Sequence, residues 1–203
     1  MPVIFHENIN PHDSCCVWHI TETEESLFER VYLSETDKSS ILSLPLAKRR
    51  KERIACRNAL AVLLVSHSIQ VSYGKFGEPL TPNVLISFSH SGDYAAVAFS
   101  DLYRIGIDIE KISDKILNLH SKFVNDHEKE FVDLSNSKDI TRIWCAKEAV
   151  YKLFPGDSID FLCDITIDKS CQTATLKLVD ASFQVELNHW LIDDMMMVVA
   201  LLH

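Results

Sequence analysis

Gly106-Ile107-Asp108-Ile109-Glu110 sets two acids at alternate positions of an isoleucine-rich run that begins at Ile105. The run reads as a strand whose isoleucines make a buried face. Residues i and i+2 of a strand point the same way, roughly 7 Å apart. Asp108 and Glu110 therefore share a face. Two carboxylates held side by side against a core repel each other unless a cation lies between them. A hard cation with oxygen ligands, most simply Mg2+, would resolve the conflict. The plainer alternative is an edge strand whose acidic face meets solvent.

Two further segments carry residue types that suit phosphate chemistry. In Trp144-Cys145-Ala146-Lys147-Glu148-Ala149-Val150-Tyr151-Lys152, the residues Trp144, Glu148 and Lys152 fall at i, i+4 and i+8. They share one side of a helix, and Ile143, Ala146, Val150 and Leu153 make its apolar side. Glu148 is then a candidate third oxygen ligand, with Lys152 one turn on as a point charge for phosphate oxygens. Taken alone, the pair is equally an ordinary i,i+4 contact worth about 0.3–0.5 kcal/mol. Ser89-His90-Ser91 stands where a strand gives way to Gly92-Asp93. Hydroxyls, an imidazole and backbone N–H groups at a turn can hold a phosphate. With nine histidines in the chain, an incidental histidine in a turn is the alternative. A serine-hydrolase reading is disfavoured, because Ser91 lacks the glycine-flanked elbow.

The net charge is −9, yet Lys48, Arg49, Arg50, Lys51, Arg53 and Arg57 crowd into ten positions. An acidic protein with one concentrated basic patch suits a small polyanion better than a nucleic acid or an anionic membrane. Arg49, Arg53 and Arg57 form a column at helical spacing. Such a column either grips phosphate bidentately or is a solvated face. The five glycines, at 74, 77, 92, 106 and 156, form neither a nucleoside-triphosphate loop nor a dinucleotide fingerprint. The six cysteines contain no C-x-x-C pair and read as small buried thiols. No apolar run reaches the length of a membrane span, and no signal peptide is visible. A cytoplasmic location is expected.

Along the chain, residues 1–20 read as extended, with Val17-Trp18-His19-Ile20 as a strand. Residues 22–44 carry a polar helical pattern, and Ala47 to about Ser68 a strong helix with Ile54, Ala61, Leu64 and Val65 at helical spacing. A loop follows around Gly74–Pro82. Strands are expected at 85–88, 94–99 and 104–110, and one or two helices over 113–135. A helix over 141–154 is stopped by Pro155-Gly156. Residues 159–202 read as strand-rich, with Met195-Met196-Met197 as strand core. Each half thus has a helix followed by strands.

The order of these signals is more specific than any one of them: basic helix, S-H-S, G-I-D-I-E, then W-x-x-K-E-A-x-x-K. In that order they resemble the 4'-phosphopantetheinyl transferase superfamily, in particular its larger monomeric type that activates peptide synthetases. The resemblance runs from about Arg49 to Lys152. It implies an α+β protein of two similar α/β halves, residues 1–103 and 104–203, packed with pseudo-twofold symmetry and with the active site in the cleft between them. It further implies Mg2+-dependent transfer of 4'-phosphopantetheine from coenzyme A to a serine of an apo acyl or peptidyl carrier protein, releasing adenosine 3',5'-bisphosphate.

Carried over residue by residue, the resemblance makes Asp108, Glu110 and Glu148 the metal ligands. Lys152 lies near the pyrophosphate, and Ser89 and His90 hold the 3'-phosphate with help from Arg57, and also from Arg53 and Arg49. Lys147 stands beside the metal-binding glutamate. Where the family usually has G-K-P, this chain has Gly77-Glu78-Pro79, with Lys75 as the nearest substitute. The proton of the attacking serine would go to Glu148 or to a metal-bound water. Other readings are a metal-dependent phosphodiesterase or nuclease, and a non-catalytic coenzyme A binder.

Overall fold

The computed structural model describes residues 2–66 and 68–203. Met1 and His67, which fall in the expected extended start and the expected long helix, lie outside the described residues. The chain divides into two compact units, Met1–Leu102 and Tyr103–His203. Both are mixed α/β.

The first unit contains β1 (Val3–Asn8), β2 (Asp13–His19), α1 (Glu24–Glu29), β3 (Tyr32–Leu33), α2 (Glu35–Leu42), α3 (Ala47–Leu63), β4 (Ser68–Ile69), β5 (Ser72–Tyr73), β6 (Pro79–Leu80), β7 (Leu85–Ser91) and β8 (Tyr94–Ser100). Its main sheet is antiparallel, in the order β1-β2-β8-β7. The small pairs are β3 with β4, parallel, and β5 with β6, antiparallel. Cys16 and Trp18 of β2 and Ala95 and Val97 of β8 pack with Ile54, Ala55, Ala59 and Leu60 of α3. β7 and β8 join through Gly92-Asp93, with Ser91 opposite Tyr94. Gly92 has φ +61°, which fits the first corner of the two-residue turn that such a hairpin requires.

The single helical pattern expected over 22–44 is two helices separated by β3. Thr23 and Ser34 each accept a hydrogen bond from the backbone N–H three residues on, Ser26 and Asp37. Each side chain starts its own helix, so the pattern restarts instead of continuing. α3 ends at Leu63, earlier than expected. Val65 adopts φ +48° and is exposed rather than part of the apolar stripe.

The second unit contains β9 (Arg104–Lys111), α4 (Ser137–Tyr151), β10 (Ile165–Ile167), β11 (Thr173–Leu178), β12 (Ala181–Ile192) and β13 (Met195–Leu202). They form one antiparallel sheet in the order β10-β11-β12-β13-β9. Between β9 and α4 lie three short 3-10 turns, Asp114–Asn118, His120–Lys122 and Glu128–Glu130, where longer helices were expected. Within the stretch expected to be strand-rich from residue 159, the first strand is only Ile165–Ile167. Asp160 accepts from the N–H groups of Leu162 and Cys163, which closes a turn there instead.

Register decides which face each residue of β9 takes. Gly106, Asp108 and Glu110 pair with Ala200, Val198 and Met196, which belong to the core under α4. Ile105, Ile107 and Ile109 point the other way with Met195, Met197, Val199 and Leu201, and all seven are buried. No described helix is long and apolar enough to cross a membrane.

Candidate active site

In the second unit the strand acids meet the end of α4. Asn136 caps the start of this helix, its side chain accepting from Lys138 N, and Lys152 ends it. At Gly106 a β-carbon would overlap the carbonyl oxygen of Ala149 and press on the Lys152 stem. Only glycine lets the helix come this close, and the closeness sets Glu148 and Lys152 beside β9. The Lys152 ammonium donates to Ile107 O at 2.7 Å and to Asp108 Oδ1 at 2.8 Å.

Asp108 is 4% exposed, so it is not the solvent-facing acid of an edge strand. The Glu148 carboxyl is pushed up to about 7, first by burial, then by the negative charge of Asp108, with Lys152 opposing and Glu110 adding. The same acids, after burial itself, hold the neighbouring Cys145 thiol well above its usual range, so it stays neutral. Asp108 and Glu110 therefore both act electrostatically on Glu148.

The donor set fits a hard divalent cation: oxygen ligands, excess negative charge and one carboxyl whose proton affinity is raised by burial and then by that charge. In the arrangement present, Lys152 supplies the compensating charge. No group of three His, Cys, Asp or Glu side chains among the described residues is drawn together closely enough to hold a metal.

The shifted carboxyl has a consequence for stability. A folded-state pKa of about 7 against an ordinary 4.5 means that the folded protein binds this proton more tightly than the unfolded chain. The contribution is complete below about 4.5 and is lost as pH rises through 7. Thermal melts in chelator should show the wild type losing stability relative to Glu148→Gln between pH 5 and about 7.5. Curves that stay parallel across that window would contradict the shift.

Lys147, adjacent to Glu148, is placed differently. It is fully buried and its ammonium donates to Phe161 O (2.7 Å) and Ile165 O (2.8 Å), beside Glu128 Oε2 at 2.9 Å. Glu128 in turn accepts from Asn125 N and Ile167 N. The three bonds tie α4 to the turns before and after it. Burial draws the lysine's pKa down, against the pull of Glu128.

Removing one partner of such a pair strands a buried charge and costs about 3–5 kcal/mol. Lys147→Met is expected to lower the melting temperature by about 10 °C. The double variant Glu128→Gln/Lys147→Met should recover much of that loss in the same melt. The signal was present in the sequence: Lys147 lies four residues after Ile143 and three before Val150, on the apolar side.

The first unit assembles the basic residues. Arg49 and His90, 41 positions apart, meet at the start of α3, with Arg49 Nη1 at 3.2 Å from His90 Nε2. Glu52 accepts from Arg49 Nη1 at 3.0 Å, and its Oε2 lies 3.6 Å from His90 Nε2. Lys48, Arg49, Arg50 and Lys51 fill the first turns of α3, and no acid stands in its first turn. Cations are the wrong sign for that end of a helix. Arg50 is compensated by Glu24 at 2.7 Å.

The rest of the column and of the S-H-S motif is distributed otherwise. Arg53 lies over the Tyr73 ring at 4.2 Å. Arg57 is fully buried, bonded bidentately to Asp37 (2.7 and 3.1 Å) and donating to the Tyr73 hydroxyl. His90 pairs with Ala95, on the face of the sheet under α3. Ser89 pairs with Ala96 and so takes the opposite face, as consecutive strand residues must. Lys75 sits near the Phe76 ring, and Glu78 accepts from Phe76 N within the β5–β6 loop. Among the described residues, neither is joined to Arg49.

The edge strand of this antiparallel sheet thus carries two acids, and the helix packed on it carries a third acid and, at its end, a lysine. Residues 104–200 match the family model of the 4'-phosphopantetheinyl transferase superfamily. That stretch spans nearly all of the second unit. No curated protein matches the chain.

Proposed function

We propose that this protein transfers the 4'-phosphopantetheine group of coenzyme A to a serine of an apo acyl or peptidyl carrier protein, releasing adenosine 3',5'-bisphosphate. The observation that carries the reading is the contact of Lys152 with Asp108, together with the influence of Asp108 and Glu110 on Glu148, inside the segment matched to the superfamily.

Asp108, Glu110 and Glu148 would hold a Mg2+ ion. When bound, the ion supplies positive charge against the pyrophosphate oxygens, the main requirement of phosphoryl-type transfer. Lys152 provides the second positive charge, on a stem that α4 fixes. Glu148 Oε is the chain's candidate for taking the serine proton. In the first unit, Arg49 and His90 are assigned to the 3'-phosphate of coenzyme A, because the two are in contact. Lys147 and Arg57 support the framework, since both charges are enclosed by protein partners.

The test is mass spectrometry of a panel of apo carriers incubated with coenzyme A. With Mg2+, at least one carrier should gain one phosphopantetheine group. In chelator it should gain none. Labelling that ignores chelator, or no labelling of fatty-acid, polyketide or peptide carriers, contradicts the proposal.

A further inference from the structure

The basic start of α3 contains one acid, Glu52, and that acid is enclosed. Its side chain is 4% exposed, whereas that of Arg49, its partner at 3.0 Å, is 55% exposed and that of His90 is 35% exposed. A buried carboxylate is costly unless its charge is matched. Here it is matched by Arg49 on α3, and His90 on β7 lies beside both groups. The bonds that Arg49 makes to Glu52 and His90 all use Nη1, and its Nε and Nη2 carry no bond among the described residues. A guanidinium pinned at one nitrogen, with its other N–H donors uncommitted, is set to receive an anion with little loss of freedom.

We infer that Glu52 is a positioning residue for a phosphate monoester. It holds Arg49 against His90 so that the pair presents a fixed set of donors at the mouth of α3. The inference rests on the reading above, in which Arg49 and His90 take the 3'-phosphate of coenzyme A. It gives that end of the ligand a third residue, which does not touch phosphate itself. The carboxylate also lowers the net charge of the pair. Binding of anions in general is thereby restrained, and a well-aligned phosphate monoester is favoured over a diffuse one.

The test uses the full chain and two ligands that differ by one group, adenosine 3',5'-bisphosphate and adenosine 5'-phosphate, titrated by calorimetry. The wild type should bind the bisphosphate more tightly. Glu52→Ala should lose about tenfold of that preference, the effect of one charge-assisted hydrogen bond. Glu52→Gln, which keeps an acceptor for Arg49, should restore part of it, and this second variant also answers for any folding defect in the first. A merely structural role would weaken both ligands together and leave their ratio unchanged; that outcome overturns the inference. If the wild type itself shows no preference for the bisphosphate, the assignment of the 3'-phosphate to Arg49 and His90 falls, and the role of Glu52 falls with it.

Discussion

Asp108→Asn is expected to reduce carrier modification by about a thousand-fold while leaving the fold intact, the size of effect seen when a preorganised charge is removed from a reacting centre. Asp108 is the most enclosed of the three acids and the one that Lys152 contacts. Asparagine fills the same space and keeps an oxygen, so packing is preserved, while the negative charge is lost. Lys152 retains Ile107 O as an acceptor. The melting temperature should therefore move by only a few degrees. A rate assay under saturating coenzyme A, beside a melt of the same preparation, checks both halves. Activity within about tenfold of wild type would remove Asp108 from the chemistry.

Gly106→Ala is expected to be the most damaging small substitution in the chain. The added carbon would overlap the backbone carbonyl of Ala149, which no rotamer change can move. The strand or α4 must shift, at a cost on the order of 3 kcal/mol, or about 10 °C in melting temperature. Glu148 and Lys152 move with the helix. A displacement of about 1 Å at a reacting centre costs on the order of a hundred-fold in rate, so the folded fraction should also be slow. Circular dichroism melts and single-turnover rates together read the two effects. Near-wild-type stability would mean that α4 does not lie as close to β9 as described.

The acids and the lysine were legible because strand and helix periodicity report faces directly. Asp108 and Glu110 at i, i+2 and Glu148 and Lys152 at i, i+4 needed only those two periods. What periodicity cannot report is which opposite charge a residue meets across the fold. Arg57 belongs to the same column as Arg49, yet Asp37, twenty positions away, encloses it. Lys147 stands beside Glu148 in sequence and points into the core, toward Glu128.

Ser89 and His90 were read as one turn, but the strand continues through them and sends them to opposite faces. The helices expected over 113–135 failed for a local reason. Asn125 caps Glu128 N and Asp133 caps Ser135 N, which closes short turns in place of a continued helix. Glu52 carried a signal that went unread: a lone acid in a basic run invites the question of what it neutralises.

The measurement that bears most directly on the central claim is the affinity for coenzyme A, by calorimetry, in Mg2+ and in chelator, for wild type and Asp108→Asn. If Asp108, Glu110 and Glu148 hold a divalent ion that supplies charge to the pyrophosphate, binding should be at least tenfold tighter with Mg2+, and the variant should gain nothing from it. Equal affinity with and without the ion in the wild type, or an unchanged gain in the variant, would contradict the account.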